Sequence, residues 1–184
     1  LMSTLSFNGN KVITTGSGGM LLTDDPDLAK RARHITTTAK VLHSYEFIHD
    51  EVGFNYRMSN LNAALGCAQM ERLEEFLSIK ANLSDQWGQF FNAQSIKFIR
   101  GLEGTQANHW LNAIVLESKS ARDIFLEYTN NNGVMTRPIW KLMSELKMFQ
   151  NCQNDGLENS VWLQDRVVNI PSSVPDGTLS KLYG

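Results

Sequence analysis

The feature that most constrains this chain is an apolar stripe running from Leu61 to Phe90. Leu61, Ala64, Leu65, Ala68, Leu73, Phe76 and Leu77 recur at near-helical spacing behind Ser59, a good N-cap residue. The pattern continues less regularly through Leu83, Trp87 and Phe90. As one helix of about 30 residues it would measure roughly 45 Å at 1.5 Å per residue, long for a single globular domain. It predicts a helix that connects two bodies or lines a subunit interface, and it divides the chain into 1–58, 59–92 and 93–184.

The flanks read as alternating strands and helices. Met20-Leu21-Leu22 is a strand stopped by Thr23-Asp24-Asp25-Pro26, with Asp25 as N-cap and proline at the first helical position. The helix that follows, to about His34, carries Lys30, Arg31, Arg33 and His34 towards its C-terminal end, where cations suit the helix dipole. Thr36 to Val52 has no period and reads as an irregular loop. Beyond Asn92, Ile96 to Ile99 and Trp110 to Leu116 read as strands around a turn at Gly101 and Gly104. Ser120 with Asp123 suggests a capped helix closed by Asn130-Asn131-Asn132-Gly133. Val134-Met135-Thr136 is then a strand ended by Arg137-Pro138, and a helix from about Leu157 to Arg166 leads into a strand at Val167 to Ile170. Strand and helix alternating in this way make a small α/β body.

Candidate chemistry lies near the N-terminus. Ser6-Phe7-Asn8-Gly9-Asn10-Lys11 is followed closely by Gly16-Ser17-Gly18-Gly19, and glycines so dense let backbone approach what a side chain would exclude. A lysine in such a crowded, dry place can lose its proton and act as a nucleophilic amine; on composition alone the ordinary reading of Lys11 is a solvated surface charge. Composition narrows the partners. Seventeen basic and nineteen acidic residues give a formal charge of -2 with no basic block, which points away from nucleic acid and anionic membranes. No run approaches the roughly 20 apolar residues of a membrane span, so the expectation is a soluble, cytoplasmic protein. Cys67 and Cys152, far apart and without CxxC, predict two buried thiols rather than a disulfide or a metal site. With no strand or cap legible ahead of Ser6, the chain reads as cut from something longer.

The Ser6 to Lys11 segment with Thr14-Thr15-Gly16-Ser17-Gly18-Gly19-Met20, followed by Gly53-Phe54-Asn55-Tyr56-Arg57-Met58-Ser59-Asn60-Leu61-Asn62-Ala63-Ala64-Leu65-Gly66, resembles the DegT/DnrJ/EryC1/StrS sugar-nucleotide aminotransferases. The later Val134-Met135-Thr136-Arg137-Pro138-Ile139-Trp140 is similar to the family's sugar-side segment, and the chain looks most like members of legionaminic-acid-type amino-sugar pathways. The resemblance implies an α/β fold, the C-terminal half of a fold-type-I aminotransferase that uses pyridoxal 5'-phosphate. That half comprises part of the large domain, a long helix and a small α/β C-terminal domain. Members are about twice this length. Their missing half supplies the carboxylate on the pyridinium nitrogen and the group stacked on the ring.

By the same resemblance Lys11 is the Schiff-base lysine, and a related dehydratase branch that carries histidine there is disfavoured. Ser6 is the phosphate-binding serine, and Asn55 the asparagine that reaches the cofactor phosphate of the neighbouring subunit, which implies a homodimer with shared sites. Arg57 would brace the Asn55 loop or the interface. His109, Arg137 and Trp140 are the candidates for sugar-nucleotide contact, with a core-facing Trp140 the alternative. Ser17 stands where many members carry glutamate. The implied reaction passes an amino group from a glutamate-like donor to a keto-sugar nucleotide, in nonulosonic-acid, O-antigen or related surface-sugar synthesis. The competing expectation is a truncated or degenerate module that self-associates without catalysis.

Overall fold

A computed structural model describes residues 1–174 of the chain. Two compact units divide it, Leu1–Glu74 and Glu75–Gly184.

In the first unit, β1 (Met2–Ser6) and β2 (Gly19–Thr23) form an antiparallel pair with Ser6 opposite Gly19. A strand therefore does precede the Lys11 motif, contrary to the sequence reading. Helix α1 (Pro26–Thr36) starts as expected, with the Asp25 carboxylate accepting from the backbone of Asp27 and Leu28 and Pro26 in the first turn. The supposed irregular loop contains a two-residue ladder of β3 (Lys40–Val41) and β4 (Ile48–His49). Thr15 and Ala39 are the buried residues of this unit, and both strands of the hairpin expose apolar side chains, Leu5, Met20, Leu21 and Leu22 among them.

The single long helix is two. Helix α2 (Asn60–Met70) is capped by Ser59 as expected and ends at Glu71; α3 (Leu73–Ala93) follows after one turn. At the break, Arg72 N–H donates to Gln69 O at 3.1 Å, a tightened bond in place of the helical one. The sequence carries a trace of this, because the stripe steps five residues from Ala68 to Leu73 where a continuous face takes three or four. The buried face of α3 follows the apolar stripe only in part: Phe76 of the stripe lines it together with Lys80, Ser84, Gly88 and Phe91.

The second unit holds an all-antiparallel sheet in the order β5 (Lys97–Phe98), β6 (Asn112–Val115), β8 (Val167–Ile170) and β7 (Arg137–Pro138). One sheet face supplies Phe98, Ile114, Val168 and Ile170 to the core, closed by Trp87 and Phe91 of α3 and by Ala121, Phe125 and Leu126 of α4 (Lys119–Asn131). Strand β7 sits on Arg137-Pro138, not on Val134-Met135-Thr136; as an edge strand it tolerates a proline. Helix α4 is capped by Ser118, whose hydroxyl accepts from Ala121 N–H at 3.1 Å, not by Ser120. The Asp123 carboxylate that would have completed the expected box is held by Arg122 at 2.6 and 2.9 Å. Asn132 and Gly133, the latter at φ +77, close this helix as read, and α5 (Glu158–Gln164) falls inside its expected range. The cysteine expectation fails: Cys67 and Cys152 are free and exposed, Cys67 because α2 buries none of its residues.

Lys80 of α3 is 5% exposed and donates through Nζ to Ser172 O, while about two turns later Trp87 Nε1 donates to Pro171 O at 2.9 Å. Burial pushes the Lys80 amine below its ordinary range. Between that lowered value and the ordinary one the unfolded chain binds more protons than the folded chain, so stability rises with pH across this window. Denaturation midpoints at intervals below the ordinary lysine pKa should show that rise, and Lys80→Met should flatten it. Identical pH slopes for both proteins would contradict the assignment.

Candidate functional site

The lysine loop is built from the hairpin upward. Strand β1 delivers Ser6, and Asn8 to Lys11 turn on themselves, with Lys11 N–H donating to Asn8 O at 3.0 Å and Gly9 N–H to Asn8 Oδ1 at 2.9 Å. The neck is then tied. Phe7 N–H donates to Gly18 O and Thr15 N–H to Phe7 O, both at 3.0 Å, while the Thr14 hydroxyl donates to Phe7 O at 3.1 Å. Lys11, half-buried, therefore sits near the tip of a closed loop of residues 7–18.

Glycine is required at two points of this neck. Gly18 has φ +107, and a Cβ on Gly19 would lie 2.5 Å from Leu5 O in the facing strand. Ser6 keeps its hydroxyl at the same neck, accepting from Asn8 N–H at 3.4 Å and still able to donate. Ser17 offers its carbonyl to the Thr15 hydroxyl, and its own side chain is exposed.

Three residues not anticipated as site residues brace this loop from α2. Asn62 Nδ2 donates to Thr15 O, Gln69 Oε1 accepts from Thr14 N–H at 3.4 Å, and a Cβ on Gly66 would lie 3.0 Å from Thr15 Cγ2. Their spacing of i, i+4, i+7 puts them on one helix face, a signal readable in the sequence once a polar and small face is looked for beside the apolar one.

Asn55 sits on a separate ribbon. Phe54 N–H donates to Ile35 O at 2.7 Å, Tyr56 N–H to Thr36 O at 2.9 Å, and Thr37 and Asn55 form an isolated antiparallel bridge. Asn55 is exposed, and among the described residues its side chain makes no Asx-turn bond. The ribbon is fastened to α1 by Arg31 Nη2 on Glu51 Oε2 and His34 Nε2 on Asp50 Oδ1, each at 2.7 Å. The Arg31 guanidinium holds the Glu51 carboxyl below its usual range through that hydrogen bond. His34, Asp50 and Glu51 bring ligand-type atoms within 4.8 Å of one another, but Arg31 takes both Glu51 oxygens, so the group is an ion-pair network.

A cleft of about 1050 Å3 lies in the same unit, lined in part by Met20, Arg33, Arg57 and Asn62; neither Lys11 nor Asn55 lines it. Arg57 thus faces this cleft.

The remaining candidates belong to the second unit. Arg137 opens β7, and its Nη1 donates to Asn130 Oδ1 at 3.2 Å. Trp140 is 66% exposed and not core-facing; its ring centroid lies 6.2 Å from that of Trp110, next to His109. The structure thus puts Ser6 at the neck and Lys11 near the tip of one hairpin loop, and Trp140 beside the His109-Trp110 segment.

The chain belongs to the DegT/DnrJ/EryC1/StrS aminotransferase family, whose model matches residues 1–176. It is 31% identical over 173 residues to a GDP-perosamine synthase of Escherichia coli O157:H7, covering 93% of this chain and 46% of that protein. Its fold matches that of Helicobacter pylori PseC, an aminotransferase involved in the biosynthesis of pseudoaminic acid, with a TM-score of 0.89 at 18% identity over 100% of this chain and 51% of PseC. It also matches the aminotransferase TlmJ of Streptoalloteichus hindustanus, with a TM-score of 0.87 at 21% identity over 97% of this chain and 49% of TlmJ. The fold is thus half of a pyridoxal-phosphate aminotransferase, and the chain spans about half the length of the curated relatives it matches.

Proposed function

We propose that this chain is the lysine-bearing half of a sugar aminotransferase that moves an amino group from a glutamate-like donor to a keto-sugar nucleotide. The observation that carries this is Lys11 near the tip of a loop tied at its neck, on a backbone only glycine permits at Gly18 and Gly19, in a chain of this family. Bound pyridoxal phosphate supplies the electron sink for charge on the substrate carbon. Residues for one side of that group are present: the Lys11 amine for its carbonyl carbon and the Ser6 hydroxyl for its phosphate. Lys11 moves the proton at the reacting carbon with its own amine. Asn55, exposed on a ribbon pinned to α1, would reach the phosphate held by a second copy, so the working form is a homodimer with shared sites. His109, Arg137 and Trp140 would contact the sugar nucleotide.

In this reading, residues 1–58 belong to the cofactor-binding large domain, 59–92 to a helical connector and 93–184 to the small domain, in a cytoplasmic protein of surface-sugar synthesis. The second reading, a self-associating module without catalysis, is favoured by the near-absence of buried residues in the first unit.

Incubation with pyridoxal phosphate followed by borohydride separates the two readings through a mass adduct on Lys11. Sedimentation tests the shared site: the wild type should be a dimer, and a monomer would remove its basis. Asn55→Ala should stay folded and dimeric while binding the cofactor about tenfold more weakly, the cost of one hydrogen bond to a charged group. Unchanged cofactor affinity in that variant would remove Asn55 from the site.

A further inference from the structure

Trp140 exposes two thirds of its surface, yet its ring is held against another. The centroids of Trp110 and Trp140 are 6.2 Å apart with 32° between the planes, a tilted ring contact within the range that aromatic pairs prefer, and Trp140 stays largely exposed beside it. The other two tryptophans are engaged differently: Trp87 in the core with its Nε1 on Pro171 O, and Trp162 beneath the Arg166 guanidinium at 4.7 Å.

The backbone that presents Trp110 is itself constrained. His109 has φ +49, in the left-handed region uncommon for a residue with a Cβ, and the Asn108 side chain accepts from Trp110 N–H at 3.0 Å across it. Two residues on, Asn112 enters β6 opposite Ile170 in the centre of the sheet. Trp110 is thus fixed from both sides, by a local turn and by a strand. Strain of this kind persists only where the surroundings over-determine it, and it concentrates at ligand sites.

On the residues leading to Trp140, the Arg137 guanidinium is also held, on Asn130 Oδ1 at 3.2 Å and Thr136 O at 3.3 Å. A flat ligand that settles on an indole already fixed in one orientation avoids the loss of side-chain freedom that a loose tryptophan would incur.

We propose that Trp110 is a positioning residue: it holds Trp140 so that the outer indole face stacks a flat ring of the sugar nucleotide, base or pyranose. This rests on the sugar-nucleotide reading above and adds a residue to it.

The test is an intrinsic-fluorescence titration with uridine diphosphate, UDP-N-acetylglucosamine and GDP-mannose. The wild type should show a saturable quench that disappears in Trp140→Phe. Trp110→Ala, which keeps Trp140, should weaken binding about tenfold, the scale of one stacked ring, and Trp110→Phe should return it to within about twofold. In circular dichroism the exciton band of the pair should vanish in both Trp110→Ala and Trp140→Phe while the helical signal stays, and should survive in Trp162→Phe. Equal binding of uridine diphosphate and UDP-N-acetylglucosamine assigns the stacked ring to the base; binding only with the sugar attached assigns it to the pyranose. No saturable quench with any of the three, or wild-type affinity in Trp110→Ala, overturns the proposal. The titration uses no pyridoxal phosphate, so a missing Lys11 adduct would remove the transamination reading without touching this one.

Discussion

Lys11→Ala is expected to abolish the borohydride-fixed pyridoxal phosphate adduct, leaving only the background that surface lysines such as Lys30 and Lys40 contribute. The wild type should carry the adduct on the peptide spanning Lys11, because that amine belongs to a loop whose neck is closed by three bonds to Phe7 and Gly18 and braced from α2. Lys11→Arg should behave like alanine: it keeps a positive charge but lacks an amine that can be deprotonated and attack a carbonyl. With the N-terminal half of a relative supplied, turnover should fall by about a thousandfold or more in either variant. A reduced adduct spread evenly over all lysines, or retained in Lys11→Ala, would leave the self-associating module as the better description.

Gly53→Ala is expected to cost about 2 to 3 kcal/mol, a large effect for one methyl group. A Cβ there would lie 2.4 Å from Ala39 N and 2.5 Å from Thr38 C, both backbone atoms. Neither can yield easily, since Thr38 and Ala39 already have φ of 68° and 50° and Thr38 N–H is bonded to Phe54 O at 3.0 Å. The ribbon carrying Asn55 would be pushed off α1. Urea denaturation should show the loss, and Gly9→Ala, with nothing within 4 Å of the new Cβ and no left-handed φ, should be close to neutral. Equal midpoints for the two variants would refute the packing assigned to Gly53.

Helix boundaries were legible in the sequence, and the reason is local. A cap such as Asp25 followed by Pro26, or a stop such as Asn132 followed by Gly133, is chemistry between near neighbours, and the structure keeps those boundaries. What misled were features decided by distant partners. Met2 to Ser6 forms a strand only by pairing with Gly19 to Thr23, so nothing within the five residues announces it. The buried face of α3 contains Lys80 and Ser84 because Lys80 binds the chain at Ser172, 92 residues on. Asn62 and Gln69 give no signal to apolar periodicity, which does not see a polar face turned inward onto Thr14 and Thr15.

The closure of the lysine loop bears on the order in which this protein folds. Every bond that ties its neck joins residues fewer than a dozen positions apart, so the search that brings them together is short and its entropic cost small. The hairpin and its loop can form as an early, local event on the microsecond scale of hairpins, before any distant segment arrives. The anchors from Asn62 and Gln69 close loops of 47 and 55 residues and belong to a later stage. The Lys11 amine would thus be placed first and immobilised afterwards, and mutations in α2 should alter how fast the native state is lost more than how fast the loop is made.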